Sequence, residues 1–557
     1  NTTGTFNLTI GGAGNGTFAS NLNTSTGTLT KNGLGVWTIS GGASTYTGLT
    51  TISAGTLKLG SAGSGSNTPL GTNAGGITIT SGAIFDLNGF TLATAEPIGS
   101  LNGIGIANIG AFINSSNNSV SYSGALTLGA ASRVVNYGTG TMTVSGNIAG
   151  NFALTIVAVG NFTQATNSVR SGTSTIIKEG SGTLILAGQN SFSGAVTVST
   201  GILQLGANGG VTNTPLGTIA GGVTVSAGAV LDLSTFTAGG ASAWEPLTLA
   251  GSGILNGGAL ISNSSTGSTF ATLSQTSSRI VNNGAGTLTI TGAVAGATSL
   301  WIGGEGNTLI SGGLGSAGIA LTKYDAGTLT LSSISNQNTA LVRINGGTLA
   351  YGVADALLTP LVTVAGGTLD LKGFNETNLS TVTLIEGSIV NTGGAATLTS
   401  TQTYVFESGT VSAVINSAIA GGIAKNTAGK VIISGDNTFT STSIAVNAGY
   451  LNLRHNNALG AAGTSLTTTI SAGATMELEN GITLPATKAI TANGTGVANT
   501  GAIRNIGGSN AISANVVLGT TNVRVNSDGG TLTFPTMSGN TFNSIFGGEG
   551  STVVSGI

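Results

Sequence analysis

Carboxylates are the first residues in this chain whose types and spacing could do chemistry. Asp86, Asp232, Asp370 and Glu477 stand in the strings GAIFDLNG, GAVLDLST, GGTLDLKG and GATMELEN, and Glu479 follows two residues after Glu477. Two or three carboxyl groups within about 5–10 Å, with Lys or Arg beside them, would suit the cleavage of a polysaccharide. One carboxylate per long repeat does something else. The nearest copies are 477 − 370 = 107 residues apart. In coils stacked about 4.8 Å apart, such copies lie roughly 25–35 Å from one another. They cannot converge on one bond. Recurrence in register points to a turn or a cap of backbone N–H groups. The same reading holds for Arg133, Arg279 and Arg524, and for Lys31, Lys178, Lys323 and Lys425, which open the repeats. Glu477 and Glu479 share a strand face, have no basic residue close in sequence, and read as solvated surface.

Nucleophilic and metal chemistry find little material. The chain has no Cys, and its single His, His455, stands in the turn-like string LRHNNALG. A zinc site needs several His or Cys ligands. GGAGNG at 11–16, GGEGNT at 303–308 and GGEGST at 547–552 resemble a calcium-binding Gly turn but lack its Asp. Without that oxygen a hard cation has little to hold it. The expectation is therefore a chain with no catalytic residue, no cofactor and no metal; it is not an enzyme.

Composition narrows the partners. Of 557 residues, 15 are Lys or Arg and 17 are Asp or Glu, a net charge of −2. Nucleic acid and anionic membranes require clustered basic residues, so neither is expected as a partner. No apolar run reaches the roughly 18 residues of a membrane-spanning helix. Gly supplies 95 residues and Pro only 7, so the chain is Gly-rich without being collagen-like. Charge makes up 6% of the chain, far below the usual quarter, which permits close association between copies. The first residue is Asn1, with no basic or apolar leader, as in a form whose signal peptide has been removed.

The elements that must position these residues are short strands. Bursts such as WTI, LTTI, TLKL, ITIT and IFDL alternate apolar residues with Thr or Ser and are separated by Gly-Gly, Asn-Gly, Ala-Gly and Ser-Gly. That is strand periodicity punctuated by turn formers, and no segment holds a helical repeat. Larger blocks recur from Lys31, Lys178, Lys323 and Lys425, spaced by 147, 145 and 102 residues. A string of β-sandwiches would need longer strands and larger inward residues. Very short strands with small inward residues instead predict an all-β parallel β-helix, or β-solenoid, forming a single elongated rod. The expected organisation is one continuous solenoid over 1–557, with repeat units of about 31–177, 178–322, 323–424 and 425–557. Residues 1–30 would end a preceding unit.

Residues 181–206, SGTLILAGQNSFSGAVTVSTGILQLG, follow the pattern G-x-L-x-L-x-G-x-N-[ST]-[FY]-[ST]-G-x-[TV]-x-[IV]-x-x-G-x-L-x-[LV]-G. Residues 34–60 follow it with Ser44 in place of Asn190, residues 426–453 loosely, and 326–351 more loosely. The pattern resembles the passenger-associated transport repeat of autotransporter proteins. That resemblance implies a right-handed parallel β-helix exported to the bacterial cell surface. The membrane β-barrel that ends such proteins has no counterpart in 1–557.

Both ends of the chain fall in the same part of the repeat: GTFNLTIGGAGNGTFAS at 4–20 aligns with NTFNSIFGGEGSTVVSG at 540–556. Uncapped solenoid ends present open strand edges to another copy. The expectation drawn from this is head-to-tail homopolymerisation through Phe6, Leu8, Ile10 and Phe18 against Phe542, Ile545, Phe546, Val553 and Val554. The chain would then be a subunit of an extracellular fibre, sheath or surface layer. The alternative is the passenger or stalk of a bacterial surface adhesin, meeting surface glycans or other cells through its Thr- and Asn-rich faces.

Overall fold

The computed structural model describes residues 2–210, 212–236, 246–296, 298–315, 318–336, 339–357, 360–417, 422–440, 443–539 and 543–556. The chain divides into two compact units, Asn1–Gly292 and Ala293–Ile557. Each is a parallel β-solenoid, as the spacing of turn formers and apolar bursts requires.

In the first unit one ladder runs through Leu8–Ile10, Leu29–Lys31, Thr50–Ile52, Ile77–Ile79 and Ile98–Gly103. A second runs through Gly16–Phe18, Val36–Ile39, Gly55–Leu59, Ala83–Asp86 and Phe112–Asn114. All these pairs are parallel. The 11-residue strand Leu126–Asn136 joins both ladders, and the stack continues beyond it in the same parallel sense. The second unit repeats the plan. Its long strands Leu361–Asp370 and Val382–Val390 pass through two ladders, each bending at a Gly of positive φ, Gly366 and Gly387. A residue with a side chain is strained in that conformation.

Alternation decides which residues face inward. Leu57 and Leu59 are fully buried, whereas Thr56 and Lys58 between them are only half-buried. The interior is not limited to small residues, contrary to the expectation from sequence. Phe85, Phe112 and Tyr122 are buried, with Phe85 and Phe112 stacked at 5.7 Å and Tyr122 edge-on to Phe112 at 4.8 Å. Coils stacked in register place like residues directly over one another, so aromatic rings form their own column.

The abundance of Asn has a structural cause. At the turns an Asn carboxamide oxygen accepts the backbone N–H of the next coil: Asn15 from Val36 at 2.8 Å, Asn147 from Val169 at 2.9 Å, and Asn375 from Thr397 at 2.8 Å. Each bond satisfies an amide that the strands leave unpaired where the ladder ends. Those side chains are engaged within the fold.

Candidate functional site

The four repeat-opening lysines are the most specific polar feature of the fold. Lys31, Lys323 and Lys425 end their strands and Lys178 is the last but one of its own, each with its side chain pointing inward, as in Leu29–Lys31, where Leu29 and Lys31 are buried and Thr30 is half-buried. Lys31, Lys178, Lys323 and Lys425 are at most 2% exposed. A buried ammonium needs acceptors on all three protons. Lys31 Nζ donates to the carbonyls of Asn32 at 3.0 Å, Gly33 at 2.8 Å and Ala54 at 2.9 Å. Lys178 Nζ donates to Glu179 and Gly180, both at 2.8 Å, and to Thr200 at 3.1 Å. Two acceptors thus come from the lysine's own turn and the third from the coil that follows. Lys425 repeats this with Thr427 and Ala448 at 3.1 Å. Lys323 donates to the carbonyls of Tyr324 and Asp325. Burial pushes the ammonium groups of Lys178, Lys323 and Lys425 down to about 8 and lowers that of Lys31.

A glycine closes each cage. Gly55, Gly201, Gly347 and Gly449 all have positive φ. A methyl group at Gly201 would lie 2.2 Å from the Gly180 carbonyl oxygen and 2.8 Å from Lys178 Nζ. The motif residue Ser44/Asn190 is structural as well. Asn190 is fully buried; it accepts the Arg170 amide at 2.8 Å and donates to the Pro215 carbonyl at 2.7 Å. Ser44, Asn336 and Asn437 likewise accept the amides of Leu22, Leu314 and Ile415 in the preceding coil.

The recurrent carboxylates divide into two kinds. Asp86 Oδ1 accepts the amides of Asn88 at 2.8 Å and Ser115 at 3.1 Å, and Oδ2 accepts the Ser115 hydroxyl at 2.7 Å. Asp370 does the same with Lys372, Thr392 and the Thr392 hydroxyl, at 3.0, 3.0 and 2.7 Å. Asp232 accepts from the Ser234 amide and from Gln204 Nε2, both at 2.7 Å. These three are backbone caps, as their recurrence predicts.

Glu477 departs from that pattern, and the expectation that Glu477 and Glu479 are solvated surface is corrected. Glu477 is fully buried. Its Oε2 lies 2.7 Å from Lys430 Nζ and accepts from Asn452 Nδ2 at 3.0 Å, while Oε1 lies 3.2 Å from Arg504. Arg504 also pairs with Asp528 at 2.5 Å, and Arg454 pairs with half-buried Glu479 at 3.0 Å. The signal was missed because the partners come from other coils, 477 − 430 = 47 and 504 − 477 = 27 residues away. Coil stacking makes them neighbours, since Asn452 pairs with Glu477 and Glu477 with Arg504 in the ladder. Three acids here meet three bases.

Among the other singled-out residues, Arg133 pairs with Glu179 at 2.9 Å. His455 sits in a turn, accepting the Asn457 amide at 3.1 Å. Among the described residues no group of three His, Asp or Glu is placed to hold a metal ion. Phe6, Ile545, Phe546 and Val553 are exposed, Leu8, Phe18 and Val554 half-buried, and Ile10 buried. Phe542 lies outside the described residues. Their exposure follows from their position beside the chain ends and carries no assembly argument.

The passenger-associated-transport-repeat family matches residues 29–59, 176–205, 321–350 and 424–453. Each match contains one lysine cage with its closing glycine. No curated protein and no solved structure matches the chain.

Proposed function

We propose that this chain, which carries four passenger-associated transport repeats, is a secreted or cell-surface protein of the autotransporter-passenger type with a non-catalytic role in attachment: a passenger that presents its outer faces to surface glycans or to other cells. The observation that supports this is the use of polar chemistry inside the fold. The repeat lysines, the recurrent aspartates and the turn asparagines all bond to backbone within or between coils. Those groups serve stacking rather than a reaction. Among the described residues no helix is long and apolar enough to cross a membrane.

What favours attachment over a self-associating fibre is the repeat, whose family is that of transported passengers. The residues on which the fibre reading stood sit beside the chain ends. The test is genetic and cellular. Producing cells should be labelled from outside by an antibody to the chain and lose the label on protease shaving. Deleting the coding region should reduce attachment to other cells or to a glycan-coated surface. Unchanged attachment, or polysaccharide cleavage that disappears in Glu477→Gln, would overturn the proposal.

A further inference from the structure

Among the described residues, two glutamates are buried with no cation paired to them. Glu96 in the first unit is 1% exposed and Glu376 in the second is fully buried. Each leaves one carboxyl oxygen with no hydrogen-bond partner, Oε2 of Glu96 and Oε1 of Glu376. The occupied oxygen holds a turn in both cases. Glu96 Oε1 accepts from the Thr68 hydroxyl at 3.0 Å and from the Thr94 hydroxyl at 3.2 Å. The same Thr68 hydroxyl accepts the Leu70 amide at 3.0 Å, and the Thr68 and Gly71 backbones bond reciprocally at 2.9 and 3.1 Å. Glu376 Oε2 accepts the Leu357 amide at 3.1 Å.

The surroundings recur as well. Buried Tyr46 and Tyr122 face Glu96, and Tyr122 donates to the Glu96 carbonyl at 2.5 Å. Buried Tyr351 faces Glu376, with Tyr404 beside Tyr351. An acidic neighbour, Asp355, already accepts the Thr377 amide at 2.9 Å and opposes a charge on Glu376. Among the described residues no Lys, Arg or His contributes at either site. Glu245, equivalent to Glu96 in the second long repeat, lies outside the described residues.

We propose that Glu96 and Glu376 are pH-sensitive latches on the turns at 68–71 and 355–357, closing them when the carboxyl is neutral and releasing them when it is ionised. A neutral acid tolerates an apolar corner. An anion with an unpaired oxygen does not, and the least costly relief is local opening of the turn to water. Burial supports this by pushing Glu96 up to about 7 and Glu376 up to about 8. Both turns would be shut at mildly acid pH and loosened at mildly alkaline pH, while neighbouring coils stay closed.

Hydrogen exchange on the whole chain tests this, with rates corrected for the intrinsic effect of pH. Between about pH 5.5 and pH 9, protection at 68–71 and at 355–357 should fall about tenfold or more, since each pH unit between the ordinary carboxylate range and the raised folded value adds about a factor of ten to opening, which levels off above it. Glu96→Gln, which is neutral and of the same shape, should abolish the fall at 68–71 and leave that at 355–357; Glu376→Gln should do the converse. Equal protection of the wild-type turns at both pH values overturns the proposal. So does a Gln variant that keeps the fall at its own turn.

Discussion

At the scale of single residues, the lysine cage explains a charge placed where charge is normally excluded. Lys178 has three carbonyl acceptors, two from its own turn and one from Thr200 in the next coil. Its folded pKa of about 8 lies below the unfolded value of 10.5. Between those values the unfolded chain binds more protons, so this group makes stability rise with pH. Below pH 8 both states are charged and the burial cost stands in full. Lys178→Met should flatten that rise in thermal midpoint between pH 8 and 10, while leaving three carbonyls without a donor. Glu477→Gln belongs to the same scale. It leaves Lys430 and Arg504 facing a neutral group and should lower stability by about 3 kcal/mol, read by urea denaturation near pH 7. A solvated Glu477 would show almost no change. The Asp86 and Asp370 caps were legible, because a recurrent Asp just before a turn satisfies local amides. The Glu477 cluster was not, because its partners are neighbours only after coils stack.

At the scale of the element, the turn between strands carries the specificity. Gly201 has φ of 72° and sits against the Gly180 carbonyl. Gly201→Ala combines a left-handed backbone with a contact at 2.2 Å that only a backbone shift relieves. It should cost more than about 1 kcal/mol. Local exchange protection of Ile202–Leu205 is the measurement, and unchanged protection would mean that the cage tolerates a side chain. Strand positions were legible from alternation, because a two-residue period survives in strands of three to five residues. What alternation could not convey is the inward lysine. Composition marks Lys as an outward residue, and only the three converging carbonyls make it an inward one.

At the scale of the whole molecule, two families of buried ionisable groups act in opposite directions. Glu96 and Glu376 have folded pKa values raised to about 7 and 8, so their stabilising contribution is lost as pH rises from the usual carboxylate range through those values. Lys178, Lys323 and Lys425 stay near 8 instead of 10.5, so their cost is relieved above pH 8. The thermal midpoint should therefore pass through a minimum near pH 8, where most proteins are close to their maximum. The double variant Glu96→Gln/Glu376→Gln should remove the acid side of that dip. A monotonic profile in the wild type would contradict the assignment. The parallel stack was legible from repetition and from Gly-punctuated short strands. The partition into units Asn1–Gly292 and Ala293–Ile557 was not, since no change in composition marks it.

The absence of native Cys allows a direct test of coil register. Thr30 pairs with Thr51, Thr197 with Thr224, and Thr363 with Thr383, all on outward positions of adjacent coils. Strands about 4.8 Å apart bring paired Cα atoms within the range a disulfide spans. Each pair, changed to Cys and gently oxidised, should close an intramolecular disulfide in the folded chain. Free thiols at all three pairs, under an oxidant that links exposed cysteines elsewhere, would contradict the parallel register from which the cages, caps and latches follow.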